Sequence, residues 1–542
     1  MKISKLTLAI ATVLGAGATS GAFAMELYVD TKTKQIYAEP GPHRQLLGSF
    51  EKVQDAPAKA ADKADTLDKA EIKAIREDLA LKQNEIKALQ EHAAEASGPE
   101  SVHVKLSDGI HFATKDGNFT AGINGRLQVD SQTNVNNQVA NATNGNTTNA
   151  LADGMSIRRA RLGIEGTFFK DTDYKFEYDF TRGNGTTGAG VTDAFIRYNF
   201  SKPFSVKFGA FKEPFSLEEA TSNRYITFIQ RNQAVDTFVD DLNTYKMGIG
   251  ANYATERWQV GTSLQTEPVG ANGASNSSLN TNGNANRNNG SGDTNWEVNA
   301  RVTGLPWMES KTKFLHVGTS GSYVDVNNNY LANGTFSNGS IAFAHGLNNN
   351  VDRTAILNTG TLTSGNIATG NQVNHFTRFG AESALVYGPF SAQGEYIATN
   401  ISGRGYNNGE TLDGYYGYMT YFLTGESRAY KAKTGAWDRL KPNRNFDMKG
   451  GWGAWEVAAG YDALNLNSGV IRGGRASTAK FGINWYPNSH VRVMANYIHA
   501  LDINTQGVNN ISTAGVQTAN TRAQAFNNAD LDVIETRVQL DW

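Results

Sequence analysis

The stretch Phe119-Thr-Ala-Gly-Ile-Asn-Gly-Arg-Leu-Gln-Val-Asp130 alternates strictly between two kinds of residue. Phe119, Ala121, Ile123, Gly125, Leu127 and Val129 form an apolar face; Thr120, Gly122, Asn124, Arg126, Gln128 and Asp130 form a polar one. A period of two is that of a β-strand with different media on its two sides. The far end of the chain repeats it, with Ile534, Thr536, Val538, Leu540 and Trp542 against Glu535, Arg537, Gln539 and Asp541. Between these ends the pattern recurs. Sixteen segments begin near residues 119, 156, 172, 190, 204, 244, 257, 294, 312, 374, 389, 413, 452, 474, 489 and 530. Short turns such as Phe169-Lys170-Asp171, Ser201-Lys202-Pro203, Thr255-Glu256, Gly388-Pro389 and Pro487-Asn488 alternate with long Asn/Gly/Ser/Thr-rich loops near 131–155, 267–293, 325–373 and 502–530. Even strand number, alternation and asymmetric connections predict an all-β fold: a 16-stranded antiparallel transmembrane β-barrel over 119–542. A closed barrel is the strand architecture that satisfies every backbone group in lipid. Phe180, Tyr198, Phe200, Trp485, Tyr486 and Trp542 suit the aromatic girdles at its rims.

Composition agrees. A chain of 542 residues would ordinarily suggest three or four soluble domains, yet apolar residues make up 39% while Phe, Tyr and Trp number 26, 21 and 8. Aromatic residues recur throughout, which argues against disorder. The 50 Lys and Arg against 52 Asp and Glu exclude a dedicated nucleic-acid binder. The lack of Cys excludes disulfides, thiolate metal sites and cysteine nucleophiles. Residues 1–24 read as a signal peptide: Lys2 and Lys5, then an apolar run, then Ala22-Phe23-Ala24 as a cleavage site. Beyond it no apolar run reaches transmembrane-helix length, which leaves strands as the means of crossing the outer membrane.

Residues 25–55 form a short N-terminal periplasmic segment with a strand-like Glu26-Leu27-Tyr28-Val29 and a turn at Pro40-Gly41-Pro42. Residues 56–97 read as a helical coiled coil. Ile72, Ile75, Leu79, Lys82, Ile86 and Leu89 fall at 3-4-3-4-3 spacing, an a/d seam with one polar position that could fix register. A single helix packed on its own domain is the alternative. Residues 98–118 read as a linker.

No catalytic or cofactor motif emerges. Gly183-Asn-Gly-Thr-Thr-Gly188 has the letters of a dinucleotide fingerprint but joins two strands instead of opening a helix. The nine His lack metal-ligand spacing. Pore chemistry is better supported, since sixteen strands leave an aqueous channel whose wall charges decide passage. By alternation Arg126, Arg159, Arg161, Lys175, Arg197, Lys207, Arg301, Arg378, Lys480, Arg492 and Arg537 face the lumen, as do Glu165, Glu177, Asp179, Asp193, Glu297, Glu382, Glu456, Asp462 and Glu535. Arg158 falls on the other face. The loop over 212–243 is long and partly apolar, so it should leave solvent and fold into the barrel as a constriction carrying Arg224 and Arg231. The connection over 425–451 should be a short turn and is not. Its Arg428, Lys431, Lys433, Arg439, Lys441, Arg444 and Lys449 outnumber its acids and would concentrate anions at a pore mouth. A solvated basic turn, or one touching peptidoglycan or lipid phosphate, is the plainer alternative.

Blocks of sequence resemble the phosphate-selective porin O and P family. They include Ser156-Ile-Arg-Arg-Ala-Arg-Leu-Gly-Ile-Glu-Gly166, Asp173-Tyr-Lys-Phe-Glu-Tyr-Asp-Phe180, Val191-Thr-Asp-Ala-Phe-Ile-Arg-Tyr198 and Phe208-Gly-Ala-Phe-Lys-Glu-Pro-Phe-Ser-Leu-Glu218. Ser222-Asn-Arg-Tyr-Ile-Thr-Phe228, Tyr421-Phe-Leu-Thr-Gly-Glu426 and Gly453-Ala-Trp-Glu-Val457 follow in family order. The resemblance implies a homotrimer in outer-membrane lipid and lipopolysaccharide, with a third loop folded inward and a long periplasmic turn entering the lumen. It implies anion-binding roles for the wall pair Arg158 and Arg159, for Arg126 of the first strand and for Arg224 of the third loop. By the same resemblance Asp193 is similar to the family's constriction aspartate. The expected function is a porin passing small hydrophilic solutes, phosphate and other small anions among them. A general diffusion porin, an anchoring barrel tied to peptidoglycan through the coiled coil, and an enzymatic barrel are the alternatives.

Overall fold

The computed structural model describes residues 25–542 other than 31–35, 38–39, 51–64, 96–101, 107–108, 140–149, 182–189, 241–244, 269–278, 281–295, 327–339, 361, 364–371, 405 and 512–516. The signal-peptide reading and the glycine-rich stretch at 183–188 lie outside the described residues. The chain divides into two units, Met1–Glu95 and Ala96–Trp542. In the first, the strand Met25–Asp30 is flanked by antiparallel partners Ile36–Tyr37 and Arg44–Phe50. A 31-residue helix α1 (Asp65–Glu95) follows, built mainly of the strong helix formers Ala, Glu, Lys, Leu and Gln. Among its described side chains the heptad seam is bare: Ile75, Leu79, Ile86 and Leu89 are all more than half exposed, and the polar seam residue Lys82 pairs with Glu85 at 3.1 Å.

In the second unit, sixteen strands among the described residues close into an antiparallel barrel. They are β1 (Phe119–Gln138), β2 (Gly154–Phe168), β3 (Thr172–Asp179), β4 (Val191–Asn199), β5 (Phe204–Lys212), β6 (Tyr245–Ala254), β7 (Trp258–Pro268) and β8 (Trp296–Ser310). Then follow β9 (Lys313–Asp325), β10 (Gln372–Tyr387), β11 (Phe390–Arg404), β12 (Tyr406–Phe422), β13 (Ala454–Ser468), β14 (Ile471–Tyr486), β15 (Val491–Asn504) and β16 (Asp530–Asp541). The expected starts agree within a few residues except at β12, which begins at Tyr406 instead of 413. The linker reading of 98–118 missed a hairpin, Val102–Lys105 with Ile110–Thr114, whose second strand pairs with Thr120–Ile123 of β1. Further along the same edge of β1, β16 takes residues 126–138, with Asp541 opposite Arg126 and Asp530 opposite Gln138. One edge of the first strand thus carries two successive partners and closes the ring.

The outer surface is an apolar band. Ile196 and Phe208 are 60% and 65% exposed, and Ile157, Ile249, Leu264, Phe379, Phe481 and Val538 stand out beside them. So large an exposed apolar surface is that of a protein seated in lipid. Aromatic side chains crowd its short-turn rim, among them Phe168, Phe169, Phe200, Trp258 and Tyr421. Tyr486 is not among them: its hydroxyl turns inward to Glu456 at 2.8 Å.

Strict alternation fails at one functional position. Gln128 of β1 lies opposite Arg159, but Val129 lies opposite Ile157, so Arg158 is the extra residue of a β-bulge. Ile157 and Met155 face outward, and Arg158 reaches Asn350 inside the barrel at 2.9 Å. The bulge turns both arginines to the lumen.

The ring closes through a small residue. Gly125 and Trp542 exchange backbone hydrogen bonds of 3.1 and 3.2 Å, and a Cβ on Gly125 would overlap the indole ring. Gly125→Val should cost about 1–3 kcal/mol by overpacking this seam. The folded barrel should lose its compact gel migration at a lower temperature than wild type.

Candidate pore constriction and anion path

The connection between β5 and β6 folds inward, as its apolar content requires. Phe215, Leu217, Ile226, Phe228, Ile229, Val235, Phe238 and Val239 are all buried to within 2%. Its two short helices, α2 (Leu217–Ala220) and α3 (Gln233–Phe238), are capped by wall carboxylates as well as by the loop itself. Glu395 accepts from the N–H groups of Leu217 and Glu218, at 3.1 and 2.8 Å, and Asp462 accepts from that of Gln233 at 2.9 Å. Wall arginines bind its carbonyls: Arg492 those of Ile226 and Thr227, Arg537 that of Ile229, Arg378 that of Phe238. Most of these cations are also neutralised. Arg537 pairs with Asp130 at 2.7 Å, Arg378 with Glu213 at 2.7 Å, Lys246 with Glu213 and Glu297, Lys480 with Asp462, and Arg301 with Glu382. A charge removed from bulk water is tolerable when paired and hydrogen-bonded, so these groups are structural. Arg231 belongs with them. It lies within the loop against Glu219 at 2.9 Å and the Glu218 carbonyl, away from any open path.

A second insert was not anticipated. Residues 340–360, between β9 and β10, also turn inward, with Ile341, Phe343, Leu347, Ile356 and Leu357 buried. Asn350 bonds Asp130 and Glu535, Asn348 bonds Asp462, and Arg353 pairs with Asp236 of α3. Those five apolar residues amid Asn and Gly were the signal for it.

The long connection between β12 and β13 rises from the other end. A small hairpin, Tyr430–Lys431 with Ala436–Trp437, is tied to the wall by Arg301, which donates to the carbonyls of Thr434 and Gly435. Trp437 touches the third loop through Thr221 and bonds Gln393 at 2.6 Å, with the Arg428 guanidinium 3.9 Å above its ring. Arg428 is therefore buried and structural, and Arg439 is paired with Asp541. Lys431, Lys433, Lys441 and Arg444 remain exposed. Arg444 holds the Asp447 carboxyl down to about 2, with help from the N–H groups of Gly451 and Lys449, so that acid stays ionised.

What remains lies along the wall from β1 to β7. Arg126, Arg158, Arg159, Arg161 and Arg224 converge from β1, β2 and the third loop. Arg161 is held by Asp179 at 2.8 Å, Glu177 at 2.8 Å and the Tyr245 hydroxyl at 2.9 Å. Arg126 and Arg224 approach Glu177 at 3.3 and 3.8 Å. Arg159 has one acceptor, Gln128 at 3.1 Å, and lies within electrostatic reach of Arg158, Arg161 and Arg537 and of one carboxylate, Asp240 of the third loop. The Nε groups of Arg126, Arg159 and Arg224 have no protein acceptor. Asp193 stands apart, paired with Lys175 at 2.9 Å. Beneath the third loop a cavity of about 750 Å³ opens, lined by eight cationic side chains against three carboxylates. Among the described residues, Lys170, Lys202, Lys207, Lys431 and Lys433 there have no carboxylate within ion-pair distance. Trp437→Ala should loosen the lower hairpin by about 3–5 kcal/mol of lost packing. Single-channel conductance should then rise; an unchanged value would show that the hairpin does not narrow the lumen.

The family model for phosphate-selective porins O and P matches residues 124–525. Porin O of Pseudomonas aeruginosa is 30% identical over 422 residues, covering 74% of this chain and 87% of that one. Among solved structures, OmpT of Vibrio cholerae matches at 11% identity over 78% of this chain and 98% of its own, with a TM-score of 0.45. An anion-selective porin from Comamonas acidovorans matches at 10% identity over 78% and 100%, with a TM-score of 0.43.

Proposed function

Because the chain belongs to the phosphate-selective porin O and P family and is an outer-membrane porin, a channel rather than an enzyme, we propose that it passes small anions, phosphate among them, along the β1–β7 wall. The observation that carries this reading is the excess of cations along that wall: five arginines gather beside the third loop, and five lysines without carboxylate partners among the described residues line the cavity beneath it. Guanidinium groups hold oxyanions by paired hydrogen bonds and stay charged at any working pH. Lysines bind as point charges in a wetter space, which favours release, and conduction needs sites that bind weakly enough to leave. Arg126, Arg158, Arg159, Arg161 and Arg224 would carry the anion past the constriction, and Lys431 and Lys433 would draw it onward. Arg231, Arg428 and Arg439 serve the fold in this reading.

The protein as proposed is a homotrimer whose apolar band meets outer-membrane lipid and lipopolysaccharide. The signal peptide 1–24 directs export, and the bare heptad seam of α1 suits a periplasmic coiled coil near peptidoglycan. The carboxylate pairing of most wall cations favours a second reading, a general diffusion porin with a balanced wall.

Planar-bilayer recordings under a KCl gradient separate the two. The anion reading predicts an anion-directed reversal potential and a chloride current reduced by added phosphate. A near-zero or cation-directed potential without block would establish the general porin. Arg159→Ala combined with Arg224→Ala should move the reversal potential toward zero. Lys431→Glu combined with Lys433→Glu should lower anion preference without changing phosphate block at the constriction.

A further inference from the structure

We infer that Glu177 is a resident anion of the pore: its carboxylate occupies the place among the arginines that a passing oxyanion would take, and so limits how tightly the channel binds its solute. The inference rests on the anion-channel reading above and concerns what tunes that site.

Glu177 lies on β3 and is 1% exposed. Guanidinium groups from three separate elements surround its two oxygens: Arg161 of β2 at 2.8 Å, Arg126 of β1 at 3.3 Å and Arg224 of the third loop at 3.8 Å. The Thr192 hydroxyl of β4 donates to it at 2.9 Å. This differs from Glu395, Asp462 and Asp130, and the three guanidiniums exceed the single one on Glu213 or Glu382. Glu395 and Asp462 accept from loop N–H groups, and Asp130 serves an arginine that also binds a loop carbonyl. Among the described residues, the donors gathered on Glu177 are guanidiniums and a hydroxyl, the set that recognises a free oxyanion in water-poor surroundings. The set exceeds what one carboxylate uses, since Nε of Arg126 and of Arg224 has no protein acceptor. An anion with more oxygens can engage donors that Glu177 leaves idle, but it must compete with a carboxylate tethered on the spot. A tethered competitor acts at a high effective concentration. It weakens binding of the entering ion while the arginines keep the site attractive to anions, which is the compromise conduction needs.

The test is Glu177→Gln, nearly the same shape without the charge. In bilayers carrying chloride current, the phosphate concentration giving half block should fall by about tenfold or more, since one unit charge a few ångströms away is removed. Anion-over-cation permeability should rise with it. Glu177→Asp, one methylene shorter, retracts the carboxylate from Arg126 and Arg224 and should shift half block in the same direction by less. It decides the matter if the glutamine variant yields no heat-modifiable barrel. Unchanged half block in the folded variants overturns the inference. If wild type shows no block and Glu177→Gln gains one, the phosphate reading falls and the inference stands. Block in wild type that neither variant moves leaves the phosphate reading standing and removes Glu177 from it.

Discussion

Every N–H and C=O of a strand that faces lipid must be answered by a neighbouring strand, because the hydrocarbon offers no substitute. Here the whole requirement converges on β1. Its edge is shared between the Ile110–Thr114 strand and β16, and the exchange between Gly125 and Trp542 marks the join. Sixteen strands closed in this way fix a width. That width is too large for wall side chains alone to fill, so the interior is filled by segments entering from both ends.

Those inserts explain the charge inside. A loop folded into a barrel brings carbonyls and N–H groups that strands cannot pair. Wall arginines and carboxylates take that role, as Arg492, Arg537, Glu395 and Asp462 do. Each such group needs a partner of its own, which is why so many wall ions occur in pairs. The carbonyls and helix N-termini of the third loop are answered mainly from β10 to β16, and the arginines of β1 and β2 lie on the opposite side of it.

Much of this could be read from the chain. Strand positions followed from alternation, and the inward course of the third loop followed from Phe215, Phe228 and Phe238, which no solvated loop would carry. Alternation also placed Arg126, Arg159 and Arg161 in the lumen. It failed at Arg158, because a bulge adds a residue without any mark in composition, and the position came instead from family resemblance. Residues 340–360 were missed because their apolar residues are diluted among asparagines. Separating the structural cations, Arg231 and Arg428, from the exposed Lys431 and Lys433 required three-dimensional pairing, since all carry the same charge in a sequence.

In the proposed path the vestibule lysines gather beneath the third loop, at the short-turn end of the barrel. Fixed charge arranged unevenly along a conduit makes it electrically directional. Mobile anions accumulate in the charged half under one polarity and are depleted from it under the other, so equal and opposite voltages drive unequal currents. The protein would then behave as a weak rectifier, with an orientation in the membrane legible from the sign of the current alone.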